Sequence, residues 1–189
     1  MMSLNRFDFA SLPVSPWRNG GGETREITSQ PPGNADFDWR ASIATIAQDG
    51  PFSAFNGIDR SITLLEGDGV HLYSASQIDH RLQHLGEPFA FSGDVALEAF
   101  LLGGSSQDFN IMTRRGRCNA DVRRITTEVI APASHAGVLY VLQGEWQLED
   151  GSPLSQRQGC WWQQQQQQRS LRFSPREGAI ALWADITAR

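Results

Sequence analysis

Ile62-Thr63-Leu64-Leu65-Glu66-Gly67-Asp68 and, 77 positions later, Leu139-Tyr140-Val141-Leu142-Gln143-Gly144-Glu145 share one pattern. In each, an apolar run ends at a glycine followed by an acid, and a second run returns. A later turn follows in both halves, Phe91-Ser92-Gly93-Asp94 in the first and Gln158-Gly159-Cys160-Trp161 in the second. A repeat at this spacing bears on the architecture before any single residue does. It points to two similar β units in one chain.

The flanking sequence reads the same way. Long helical periodicity is absent, and short runs rich in Val, Ile, Leu, Phe and Trp alternate with clusters of Gly, Pro, Asp, Asn and Ser. That is the pattern of an all-β protein. Expected strands are 23–29, 39–47, 60–66, 70–74, 89–91, 96–102, 109–114, 128–131, 137–142, 145–148, 170–173 and 179–183. A dozen strands exceed one small barrel, so two antiparallel barrels or sandwiches side by side are expected. The boundary falls near 115/116, giving halves 1–115 and 116–189, with exchange of strands between them left open. The glutamine run Gln163–Gln168 reads as a polar loop.

Composition bounds the function. The chain has 189 residues, 40% of them hydrophobic and 20% charged, and a net charge of −5. The acidic balance argues against a general nucleic-acid binder, which needs excess cations. All sixteen basic residues are arginine. No run approaches the roughly 20 apolar residues of a membrane helix. The N-terminus does not read as a signal peptide, and Cys118 and Cys160 form no CxxC pair. A cytoplasmic protein with two reduced thiols is expected, Cys160 being a core residue beside Trp161 and Trp162.

Several segments could carry chemistry. Trp17-Arg18-Asn19-Gly20-Gly21-Gly22-Glu23-Thr24-Arg25-Glu26-Ile27 places three glycines among polar and charged residues. It reads either as a backbone nest for an anion or as a turn into a strand, the turn being the commoner use. Alternation puts Arg40 and Ser42 on one face of Trp39–Ala44. It likewise puts Asp108, Asn110 and Arg114 on one face of their strand, with Phe109 and Ile111 opposite. Such faces are either wet surface or the polar lining of a barrel mouth. Among the histidines, His71, His80, His84 and His135, none forms an HxH pair, so no metal and no cofactor is expected. No GxSxG, P-loop or GxGxxG occurs. The arginines of 114–117 with Arg123 and Arg124 read as a solvated linker.

Taken together, these segments resemble the HutD/Ves family of double-cupin proteins, most closely its Ves branch. The carrying residues are Trp17–Ile27, Trp39–Ala44, Gly50–Arg60, Pro88–Asp94 and Asp108–Arg114, in the family's order. The resemblance implies a cytoplasmic bacterial bicupin, two antiparallel β-barrels or jelly rolls packed together. HutD proteins are associated with histidine utilisation, and Ves proteins are named for induction under environmental stress. At the strand where cupins usually carry metal-binding histidines, Asn56–Arg60 stands instead. The expected function is metal-independent binding of a small carboxylate by Trp17, Asn19, Arg40, Arg60, Asp108, Asn110 and Arg114. Arginines would pair with the carboxylate in bidentate fashion. A buried Arg60–Asp108 pair tying strands together is a competing structural role. The alternatives are an acid/base isomerase or hydrolase using Asp108 or Glu23, and a homodimeric interaction module.

Overall fold

The computed structural model describes residues 4–164 and 169–189, so the expectation for the glutamine run lies mostly outside the described residues. The chain divides into two compact units, Pro13–Arg117 and Met1–Leu12 with Cys118–Arg189. Both are antiparallel β-barrels built from two facing sheets. The strands in chain order are β1 (Asn5–Asp8), β2 (Val14–Pro16), β3 (Gly22–Gln30), β4 (Trp39–Ile46) and β5 (Gly50–Phe52). Then come β6 (Ile58–Glu66), β7 (Val70–Ser74), β8 (Ile78–Leu82), β9 (Pro88–Ser92), β10 (Leu97–Leu101) and β11 (Ser106–Arg114). The remainder are β12 (Cys118–Ile125), β13 (Val129–Ala131), β14 (Ala136–Gln143), β15 (Glu145–Gln147), β16 (Pro153–Ser155), β17 (Gln158–Trp162), β18 (Leu171–Pro175) and β19 (Ile180–Ala188).

The Pro13–Arg117 barrel sets a six-stranded sheet, β2-β3-β4-β11-β6-β9, against a four-stranded one, β5-β10-β7-β8. Ile46, Ile62 and Leu64 of the larger sheet close on Phe52, Val70, Leu72, Leu82, Leu97 and Ala99 of the smaller. Burial of each large side chain contributes about 1.5–3 kcal/mol, and this core fixes the register of every strand that carries it. The other barrel pairs β1-β17-β14-β19-β12 with β13-β18-β15-β16. Its core holds Leu139, Val141, Trp146, Cys160, Trp162, Phe173 and Trp183. Burial raises the Cys160 thiol well above the ordinary thiol range, so it stays protonated there.

One expectation needs correction. Residues 118–125 are no linker: they form β12, paired with β19 from Cys118↔Ala188 to Ile125↔Ala181. Charged residues fit there because β12 is a sheet edge, where one side of the strand stays wet. Residues 4–12 also belong with the C-terminal part of the chain, an exchange the sequence left open. Asn5–Asp8 adds β1 to the edge of β17, with Phe7 opposite Gly159. The 3-10 turn Phe9–Ser11, capped by Asp8, follows β1.

The register of the six-stranded sheet organises the interior of its barrel. Directly opposed residues of antiparallel strands share a face. One row reads Arg40, Met112, Arg60, Phe91 across β4, β11, β6 and β9. The next reads Glu26, Ser42, Asn110, Ile62, Phe89, and the third Thr24, Ala44, Asp108, Leu64. Polar residues separated by dozens of positions in sequence therefore stand on one inward face.

Candidate functional site

The three glycines make a turn rather than an anion nest. Gly20, at φ +74°, donates its N–H to the Trp17 carbonyl at 3.0 Å. Gly21 N–H donates to Asn19 Oδ1 at 2.8 Å, so these donors are committed within the turn. What the turn achieves is the placement of Trp17. A Cβ on Gly22 would stand 2.2 Å from the Thr45 carbonyl and 3.0 Å from the indole, so only glycine lets the ring lie there. The indole N–H donates to Thr24 Oγ1 at 2.8 Å, and the ring meets Phe52 edge-on at 6.1 Å.

Arg60 lies at the centre of a ring of phenylalanines. Its guanidinium carbon is 5.7 Å from the centroid of Phe52 and 5.2 Å from those of Phe55 and Phe91. The loop carrying Phe55 is pinned by Gly93, which donates to the Ile58 carbonyl at 2.7 Å and accepts from Phe55 N–H at 2.6 Å. A Cβ on Gly93 would come within 2.8 Å of both the Ile58 and Phe55 carbonyls. Asp94 Oδ1 accepts the Gly57 N–H at 2.7 Å, and Arg115 bridges Asp94 and Asp59. Much of the 50–60 and 88–94 segments thus serves to build this cage.

Arg60 is only 7% exposed, and its Nε has no hydrogen-bond partner. Among the described residues no carboxylate lies within ion-pair distance of it. Burial, then repulsion from Arg40, pushes its pKa down to about 10, so it remains a cation at neutral pH. Arg40 stands in the same row and is held by Glu26 at 3.0 Å. The Oδ1 of buried Asn110 is unpartnered as well.

These groups line a cavity of about 490 Å³. Of the seven residues read from sequence, Trp17, Asn19, Arg40, Arg60 and Asn110 stand on its wall. Asp108 and Arg114 do not. Asp108 is wholly buried in the third row, accepting the Ser106 hydroxyl at 3.1 Å, and forms no ion pair with Arg60. Arg114, at the end of β11, turns to Asp36 at 3.0 Å and to the Phe37 carbonyl at 2.9 Å. Phe52, Phe55 and Met112 also line the cavity without having been read as site residues, as do Arg18 and Ser42, which the sequence set beside Asn19 and Arg40 but not in the binding set. Ser42 and Met112 follow from the alternation that gave Arg40 and Asn110. Phe52 and Phe55 both lie in the 50–60 segment, where no alternation tells which way their rings face.

A second cavity, about 580 Å³, lies in the other barrel. Its arginines are already satisfied: Arg6 donates to the Pro153 carbonyl, Arg169 faces Glu149 at 4.0 Å and Arg172 faces Glu128 at 3.4 Å. Each of its arginines has an acceptor within the fold, whereas Arg60 has no anionic partner, and the Arg60 cavity is the stronger candidate.

The histidines sit apart from that cavity. His80 stacks on Phe89 at 3.9 Å, His71 pairs with Asp79 and His135 with Asp185.

The chain is similar to known proteins along nearly its whole length. Protein Ves of Escherichia fergusonii is 46% identical over 170 residues, covering 89% of this chain and 88% of that protein. Protein Ves of Citrobacter koseri is 44% identical over 185 residues, 97% of this chain and 94% of that one. The structure of HutD from Pseudomonas fluorescens SBW25, in a formate condition, superposes with a TM-score of 0.86 at 26% identity, covering 99% of this chain and 100% of that one. Escherichia coli pirin YhhW in complex with nickel(II) matches at a TM-score of 0.64 and 11% identity, covering 97% and 98%, a likeness of fold alone. The HutD family model matches residues 10–181, and the chain, an all-β double cupin, belongs to the HutD family.

Proposed function

We propose that this protein binds a small carboxylate metabolite in the Arg60 cavity without the help of a metal. The observation that carries the reading is a buried guanidinium with no anionic partner. An uncompensated buried charge costs several kcal/mol and persists where something outside the fold compensates it. The three phenyl rings surround the guanidinium within cation–π range, where they leave its N–H edges as the means of contact. A planar carboxylate approaching in that plane makes two parallel charge-assisted hydrogen bonds. Asn19 and Asn110 read polar atoms of the same guest, Arg40 adds positive potential, and Trp17 forms an apolar wall. Asp108 and Arg114 take no direct part. The likeness to HutD and Ves proteins supports a setting in histidine utilisation or stress response, in the cytoplasm.

Differential scanning fluorimetry with sodium formate, acetate and succinate tests this. Wild type is expected to gain thermal stability with at least one of them in a saturable way. Arg60→Lys is expected to lose most of that gain, since an ammonium cannot reproduce the planar fork. Equal gains in wild type and Arg60→Lys would contradict the assignment.

A further inference from the structure

We infer that uptake of an anion at Arg60 is coupled to uptake of a proton by Asp108, which makes Asp108 a positioning residue for the carboxylate site. The inference rests on the carboxylate reading above. Asp108 shares the inward face with Asn110 and Met112, two and four positions further along β11, and both of these line the cavity. Its row partner Ala44, and Thr24 beyond it, are wall residues too. The carboxyl is fully buried, Oδ1 takes one hydroxyl donor, and Oδ2 has no partner.

A carboxylate in that position lacks the donors that usually stabilise a buried anion. Burial pushes its pKa up to about 7, with the Ser106 hydroxyl opposing. The charged side chains on the neighbouring strands of this face are Arg40 on β4, Arg60 on β6 and Glu26 on β3. β6 and β4 place Leu64 and Ala44 directly opposite the carboxyl. A negatively charged guest in the cavity above adds a like charge, so the guest and an ionised Asp108 disfavour each other. Linkage makes this reciprocal: a guest favours the protonated acid, and the protonated acid favours the guest.

Calorimetric titration of the full chain with sodium formate, in buffers of different ionisation heat, measures the protons taken up per anion bound. At pH 8 wild type is expected to take up a substantial fraction of one proton, and at pH 5.5 none. Apparent affinity is expected to fall roughly tenfold between those pH values, as for charges about 10 Å apart in a partly buried site. Asp108→Asn, which keeps the shape, is expected to bind formate at both pH values with no proton uptake. Formate binding by wild type at pH 8 with no proton uptake, or uptake undiminished in Asp108→Asn, overturns the coupling and leaves the carboxylate site standing. Where formate does not bind, the same titration is run with acetate and succinate, and binding of none of the three by wild type at either pH overturns both.

Discussion

At the scale of single residues, Arg60 sets stability against binding. Its guanidinium has lost most of its water and gained aromatic faces but no anion. Arg60→Met keeps the apolar stem and removes the charge. It is expected to stabilise the free protein by about 1–3 kcal/mol, while abolishing the response to carboxylates. Chemical denaturation of both proteins, with and without acetate, checks both halves. Asp108 gives a second outcome at this scale. Its folded pKa of about 7 lies above the ordinary value near 3.9, so the folded protein holds a proton that the unfolded chain releases. Its contribution therefore lowers stability as pH rises from about 4 to about 7 and levels off above. Asp108→Asn is expected to be more stable than wild type at pH 8, by on the order of 3 kcal/mol, and to lose that advantage near pH 4. Denaturation midpoints across that range read the difference. The pairing of Arg60 with Asp108, open in the sequence, fails because they stand two rows apart on the sheet.

At the scale of elements, the strands were legible wherever alternation is strong. The expected 70–74 strand coincides with β7, and 39–47 and 60–66 differ from β4 and β6 only at their ends. Alternation also told which face Arg40 and Asn110 occupy, and their register brings them to one cavity. It failed for Arg114, which has the right parity but lies at the strand end, within reach of the Asp36–Phe37 segment. It failed for β12 because an edge strand tolerates charges that read as linker. The phenylalanine cage was illegible, since its three rings come from β5, the following loop and β9. Two glycines hold these elements close. Gly22→Ala forces a methyl against the Thr45 carbonyl and the Trp17 ring, and is expected to destabilise by about 2–3 kcal/mol. Loss of Trp17 fluorescence anisotropy is too weak a readout with five other tryptophans present, so urea denaturation is the measurement. A variant as stable as wild type would show that the strand and indole are less closely packed than described.

At the scale of the whole molecule, the repeat read from sequence is expressed as two barrels whose central strands correspond. β6 lies between β11 and β9, and β14 lies between β19 and β17. The 77-residue offset that aligns Ile62 with Leu139 aligns Arg60 with Gly137. A Cβ at Gly137 would stand 2.5 Å from the Trp162 ring, so indole crowds the place where a side chain like Arg60 would begin. Across β14, Asp185 and Asp121 occupy the row positions that Met112 and Arg40 hold in the other barrel. The two barrels have corresponding central strands and differ in what fills them, and carboxylate binding is expected at one site per chain. Calorimetric titration reporting two equivalent sites would contradict that. The most direct measurement is a crystal structure of the protein grown with a carboxylate that stabilises it. A carboxylate held side-on by Arg60 inside the phenylalanine ring, its oxygens within hydrogen-bond distance of the guanidinium, is the predicted result. A carboxylate bound elsewhere, with Arg60 paired to an acidic side chain of the protein, would contradict the account.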